Sequence, residues 1–425
     1  MTDTQPSIPD VKSERQSFAA LRVPGARPFL AFTGLVMMAD NIEHVISYWV
    51  IYEKFQSPAL NGFAVISHWV PFLLFSVMAG ALADRYDPRR VIQTGIGLFI
   101  LVSLSWAVLI FTDTLEQWHA GVLLVVHGMS GVLWGPVSQV LLHDIVKPAQ
   151  LHSAVRLLAM SRMIGLFLGP AVGGGLMLLF GPSLGLLINT LIYLPLMLWL
   201  WKAPFGPKFR DAPLAPRRAI RGLADIVTTF REISGIPVII SMILLVGVTS
   251  SFVGYAYQAQ MPVFAIALGR AESSLSYSLL LSASALGAIT AGVILEWFDL
   301  MQARRRSAFI LVALWCCSLV GFAVTAHFTV ALVLLFVIGF LQLSFTTMSQ
   351  TLVQINSPPD IRGRVIGLYS MAALGMMTFS GFTIGVAGDY IGVHLSLGIS
   401  ACLVLAIVTL AVVPMAFRRV RQPAE

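Results

Sequence analysis

"GLFLGPAVGGG", residues 165–175, lies in an apolar stretch long enough for a helix, yet it carries five glycines and a proline. In water each interior Gly costs a helix about 1 kcal/mol and an interior Pro about 3. Lipid changes the balance. Helices there associate by close van der Waals packing, and small residues four apart let two backbones touch. Gly165, Gly169 and Gly173 make one such face, with Gly174 beside it. Pro170 bends the helix at that face, and neighbouring helices satisfy the carbonyl it frees. The stretch reads as the packing face of a membrane-spanning helix.

The rest of the chain agrees. Of 425 residues, 57% are hydrophobic and only 11% charged, against about 25% charged in an ordinary soluble protein. Segments of about 20 apolar residues, each able to cross a hydrocarbon layer of about 30 Å, recur twelve times. They fall at 28–52, 58–83, 91–112, 118–143, 154–180, 183–201, 237–262, 273–298, 307–327, 329–352, 364–390 and 393–416. The fold class is all-α integral membrane, twelve helices in two halves of six. The first 27 residues hold charges and prolines but no apolar core, so no cleavable signal is read there.

Positively charged loops stay on the cytoplasmic side during insertion. All but three of the 27 basic residues fall in the N-tail, the even-to-odd loops and the C-tail; the exceptions are Lys54, Arg162 and Arg270. Both termini are therefore expected in the cytoplasm, in a cell (inner) membrane. The net charge of +7 reports that anchoring and not nucleic-acid binding. Cys316, Cys317 and Cys402 suggest neither a disulfide nor a metal site.

The long polar interval divides the spans six and six. The expected organisation is a cytoplasmic tail (1–27), a six-helix bundle (28–202), a basic linker (203–236), a second six-helix bundle (237–416) and a short tail (417–425). The linker reads as a Pro-rich stretch followed by an amphipathic segment suited to an anionic leaflet. An offset of about 211 brings Gly80 over Gly292, Asp84 over Glu296, Ser138-Gln139 over Ser349-Gln350 and Phe180-Gly181 over Ile391-Gly392. Such self-similarity marks a duplicated six-span unit.

"GALADRYDPRR", residues 80–90, joins spans 2 and 3. It resembles the loop signature of the major facilitator superfamily, with Asp87-Pro88 where a second glycine is usual. The resemblance implies a cytoplasmic gate formed by Gly80, Asp84, Arg85, Arg89 and Arg90, in which the acid meets the positive N-terminal end of span 11. Asp144 and Arg156 fit a second clasp of the same kind. Gly165, Gly169, Pro170, Gly173 and Gly174 match the span 5 signature of drug:proton antiporter branches, where it implies a leak-proof contact between the two halves. "SRMIGLFLGPAVGGGL" and "PPDIRGRVIGLYS" are similar to the twelve-span branch that holds macrolide-efflux proteins and the enterobactin exporter.

Ionisable groups inside spans are functional candidates by default. Asp40, Glu43, His44, Ser47 and Tyr48 recur at three- and four-residue spacing on one face of span 1. Asp40 lies about 18 Å from the cytoplasmic start and Arg162 about 12 Å deep in span 5, at 1.5 Å per residue. Asp40, Glu43 and His44 are the proton-coupling candidates. Arg162 either meets an acidic part of the substrate or neutralises a span 1 acid in a buried pair; depth leaves both open. Tyr48, His68, His127, Trp134, Tyr255, Gln258 and Gln342 are candidates for lining the cavity.

No phosphate-binding Gly-x-x-x-x-Gly-Lys loop occurs, and no coherent catalytic set is visible, so an enzyme is not expected. The reading is a secondary transporter, monomeric, in contact with membrane lipids and a small-molecule substrate, using a proton gradient and no cofactor. Efflux of a siderophore or drug by antiport is favoured by the span 5 signature. Uptake by symport, or a sensor or assembly role without transport, are the alternatives.

Overall fold

The structure is a computed structural model that describes residues 18–55, 58–209, 222–254, 256–268, 274–298 and 304–412. Among the described residues every regular element is helical. The first half comprises α1 (Ala26–Phe55), α2 (Pro58–Arg85), α3 (Pro88–Phe111), α4 (Gln117–Ile145) and α5 (Leu151–Lys202). At 52 residues, α5 is two spans in one: Gly181, at φ 77°, reverses the chain in a single residue. Only a residue without Cβ takes that backbone shape cheaply.

A short helix, α6 (Ala224–Ile233), follows the linker. It buries Asp225, Thr229 and Ile233, and exposes Leu223, Val227 and Phe230 as an apolar stripe. Span 7 is broken into α7 (Pro237–Phe252), α8 (Ala256–Ala259) and α9 (Met261–Ala267). α10 (Ser274–Phe298), α11 (Arg305–Val324) and α12 (Phe328–Asn356) are continuous. Span 11 alternates α13 (Arg362–Ser370), a π-turn at Met371–Gly375, α14 (Met377–Ser380), a second π-turn at Gly381–Val386 and α15 (Ala387–Ile391). Gly392, at φ 86°, then turns the chain into α16 (Val393–Ile407). Ten long apolar helical segments, one of them double, and the interrupted span 7 account for twelve crossings. Irregular backbone is tolerated at membrane depth only where protein or a cavity shelters it; here spans 7 and 11 carry it, with one further π-turn at Val408–Val412 in span 12.

The glycine face of span 5 packs against α1 of its own half, which corrects the expected contact between halves. A Cβ on Gly169 would lie 2.5 Å from Asn41 Cβ and 2.9 Å from the Met38 carbonyl, and one on Gly165 would strike the Gly34 carbonyl. A Cβ on Gly173 would lie 3.1 Å from the Ile42 Cα. Gly174 faces open space and Pro170 is exposed, so neither belongs to this contact.

The close backbone approach between halves lies instead along α2 and span 11. Cβ atoms on Gly80 and Gly363 would each strike the other's carbonyl. Further along the same seam, Gly367 meets Ser76 and Val77, and Gly375 meets Leu73. Sequence spacing shows that a helix face is small but not which neighbour occupies it. Gly169→Val is therefore expected to act on the α1–α5 packing, at about 1–3 kcal/mol, the usual cost of overpacking. Thermal unfolding in detergent should show a clear loss for Gly169→Val and none for Gly174→Ala.

Candidate functional site

Two groups of polar residues stand out in the apolar bundle. The first lies midway along α1, α2, α3 and α4. His127 of α4 sits between two carboxylates of α1, with Nε2 2.9 Å from Asp40 Oδ1 and Nδ1 2.7 Å from Glu43 Oε1. All three side chains are at least nine-tenths buried. The second Glu43 oxygen accepts from the Ser103 hydroxyl of α3. Ser103 in turn lies 3.4 Å from the Asn189 amide of α5, which also donates to the Ala39 carbonyl at 3.0 Å.

On the other side, His44 Nδ1 lies 3.8 Å from Asp40 Oδ2, and His44 Nε2 lies 3.2 Å from His68 Nδ1. The result is an unbroken run of polar contacts from His68 to Asn189. Phe99 stands edge-on to His127 at 4.9 Å and stacks on Tyr193 at 5.3 Å, closing the apolar wall around it. The Tyr48 ring lies tilted against His44 at 5.2 Å, and its hydroxyl donates to the Ala64 carbonyl at 3.4 Å.

The span 1 face read from sequence is thus gathered with both histidine candidates. Arg162 is elsewhere. Its guanidinium lies over the Trp134 ring at 4.9 Å and donates to the Gly135 carbonyl at 3.0 Å. The buried Arg–acid pair entertained from depth is replaced by His127, because equal depth says nothing of the direction a side chain faces. In the second half, the Tyr257 hydroxyl donates to Gln342 Oε1 at 3.3 Å and accepts from the Gln258 amide at 3.4 Å. Tyr255 lies outside the described residues.

The second group is at the end of the bundle that carries most of the Lys and Arg, here termed the basic face. Asp84, at the end of α2, accepts from the backbone N–H groups of Gly363 at 2.6 Å and Arg364 at 3.0 Å. These are the first free donors of α13, where the helix dipole favours an anion. Arg364 adds its guanidinium, 3.7 Å from Asp84 and 3.4 Å from Asp225 of α6. The linker helix is thereby tied into the same contact.

The second clasp joins Arg156 to Glu296 of α10, with Nε 2.9 Å from Oε2. Ser153 donates to the same carboxylate and Arg156 to the Leu295 carbonyl. Glu296 is the acid of this clasp, one that the motifs do not point to. Its signal was the internal repeat, which lays it over Asp84. Asp144 sits half-buried at the end of α4.

The contacts of the loop's basic residues lie within the first half, not across the expected gate. Arg89 closes on Asp87 at 2.6 Å and donates to the Ala203 carbonyl at 2.5 Å, tying α3 to the end of α5. Arg90 lies over Trp201 at 5.5 Å and Arg85 over Tyr86 at 5.6 Å. Asp87 and Pro88 act as N-cap and first residue of α3, a start signal that explains their replacing a glycine. On the opposite face Lys54 pairs with Asp113 at 2.5 Å, and its hydrogen bond holds the exposed Asp113 carboxyl below its ordinary range.

A twelve-span bundle whose halves meet through acid-to-helix clasps at one face is a major facilitator transporter. Over residues 17–423 the chain matches the family described as transmembrane secretion effector, and it belongs to that family. It is 22% identical over 374 residues to the Staphyloferrin A transporter of Staphylococcus aureus, covering 86% of this chain and 90% of that one. A protein of Salmonella typhi named for multidrug resistance, MdtD, is 32% identical over 119 residues, which is 28% of this chain and 24% of MdtD. The crystal structure of the human organic anion transporter MFSD10 superposes with a TM-score of 0.72 at 14% identity, covering 91% of this chain and 98% of that one. The chain is a multi-pass membrane transporter and not an enzyme.

Proposed function

We propose that the chain exports a small amphipathic molecule, of siderophore or drug type, in exchange for protons. Its basic face lies toward the cytoplasm with both termini, and the halves at 28–202 and 237–416 rock against each other as one monomer. The stripe Leu223, Val227 and Phe230 rests in the lipid surface. The observation that carries the reading is the buried trio Asp40, His127 and Glu43: three titratable groups in direct contact, at the middle of the first half. Ionisable groups at that depth are expensive and mark ion or proton paths.

The trio has a way in, since His44 keeps 17% of its side chain exposed while touching both Asp40 and His68. Arg162, half-buried over Trp134, is placed to meet an acidic group of the substrate. Tyr257, Gln258 and Gln342 offer neutral hydrogen bonds from the other half. Export, rather than uptake, is supported by the span 5 glycine pattern, by the family's description as a secretion effector and by the multidrug-resistance name of MdtD.

Inverted vesicles with an acidic lumen test this directly. Wild-type vesicles should accumulate substrate, and collapse of the proton gradient should stop them. Asp40→Asn and Glu43→Gln should each insert normally and still bind substrate, with at least one losing proton-driven accumulation. Accumulation that ignores the gradient, or two acid variants with wild-type pH dependence, would remove the antiport reading.

A further inference from the structure

We propose that Asp40, His44, His68 and His127 form a binding site for a single divalent transition-metal cation of the Zn2+ class. The site uses side chains assigned above to proton coupling, but it rests on their geometry and not on that role. One donor atom from each of the four lies within 4.8 Å of every other. Around a tetrahedral Zn2+ with bonds of about 2.0–2.1 Å, donors sit about 3.3 Å apart. His44 Nε2 and His68 Nδ1 are 3.2 Å apart, and His127 Nε2 and Asp40 Oδ1 are 2.9 Å apart. Two contacts already match the edges of such a tetrahedron. Three imidazoles and one carboxylate suit zinc, cobalt or nickel, whereas Mg2+ and Ca2+ favour oxygen donors.

A second observation concerns His127. Its Nδ1 is engaged by Glu43 at 2.7 Å, and a carboxylate can only accept, so that nitrogen carries the proton. In the neutral ring Nε2 is then the lone-pair nitrogen. It is buried and faces Asp40 Oδ1, 2.9 Å away. A proton held between those two atoms makes the ring a cation shared by both carboxylates, and a metal ion bound by both can take that proton's place.

The surrounding shell has the form metal sites use. A ligating His ordinarily gives its other N–H to a carboxylate that is itself hydrogen-bonded, which fixes the tautomer and the ring's direction. Glu43 supplies that carboxylate, and Ser103, backed by Asn189, holds it. His44, partly exposed, marks the point of entry.

The test uses the purified full-length protein in detergent, stripped with a chelator, with Zn2+ or Co2+ as the only added ligand. Calorimetry should give one Zn2+ per chain, and Co2+ should develop the strong visible absorption of a four-coordinate site. His44→Ala, His68→Ala and His127→Ala should each weaken Zn2+ binding at least about tenfold. Glu43→Gln, which removes no metal ligand, should weaken it about 10- to 100-fold, the usual effect of losing such an outer partner. The exposed His327→Ala should leave it unchanged. Should an alanine variant fail to elute as a monodisperse peak, His44→Gln replaces it at the partly exposed position. Absence of stoichiometric Zn2+ binding to the wild type, or equal binding by the histidine variants, overturns the proposal. No transport is measured, so loss of the antiport reading would leave this result standing, and the reverse holds too.

Discussion

Asp84→Asn is expected to reach the membrane at the wild-type level and to transport poorly, because the state that closes the basic face becomes scarce. The Asp84 carboxylate accepts two backbone N–H groups at the start of α13 and faces the Arg364 guanidinium. Hydrogen bonds to a charged group contribute about 1.5–3 kcal/mol each. Asn keeps one accepting oxygen and loses the charge, so the closed state should weaken by about 2 kcal/mol, on the order of 30-fold in the ratio of the two states. Spin labels on the basic-face ends of α2 and α13 would read that shift as a growing long-distance population. Wild-type distances together with wild-type turnover would show that the loop serves topology alone. Gly80→Ala probes the same contact by bulk, since its Cβ would strike the Gly363 carbonyl.

His127→Ala is expected to be the most destabilising single change in the first half. It leaves Asp40 and Glu43 buried with their shared partner gone. Removing one member of a buried charged set typically costs about 3–5 kcal/mol, because the remaining charge is stranded in a poor solvent. Thermal unfolding in detergent should fall sharply for this variant. Combining it with Asp40→Asn and Glu43→Gln should restore much of the loss, since neutral amides strand no charge, and neighbours that share a partner do not behave additively. A single variant as stable as wild type, or a triple variant no better than the single, would show that the trio is not the electrostatic unit described here.

Much of the bundle was readable because lipid imposes strong rules on sequence. Span length and the ends of helices follow from the cost of bare polar groups in hydrocarbon. Asp84 could be assigned to the start of span 11 because its loop resembles a family signature that implies that partner. Side-chain direction is another matter. The spacing of Asp40, Glu43 and His44 defined a face of α1, but nothing in α4 announced that His127 looks back at it. Depth left Arg162 open to a span 1 acid or to the substrate, and its guanidinium lies over Trp134 and not beside the acids. The glycines of span 5 were correctly read as a packing face and given the wrong neighbour. Glu296 was visible all along as the repeat mate of Asp84, yet only the structure shows Arg156 to be its partner.

Gly181 and Gly392 occupy equivalent places in the two halves and turn the chain in one residue each, at φ 77° and φ 86°. A turn that short is a pin and not a loop. Spans 5 and 6 are pinned together at one end, and so are spans 11 and 12, so within each pair the two rods share a pivot and separate only by swinging. The clasps sit near the free ends: Arg156 is 25 residues from Gly181 and Gly363 is 29 from Gly392, about 40 Å along the rods at 1.5 Å per residue. At that arm length a tilt of about ten degrees moves a tip by about 7 Å, enough to part Asp84 from its helix without bending any rod. Under the proposed rocking of the halves, the two pins keep each pair of rods together on one face while the clasps part on the other.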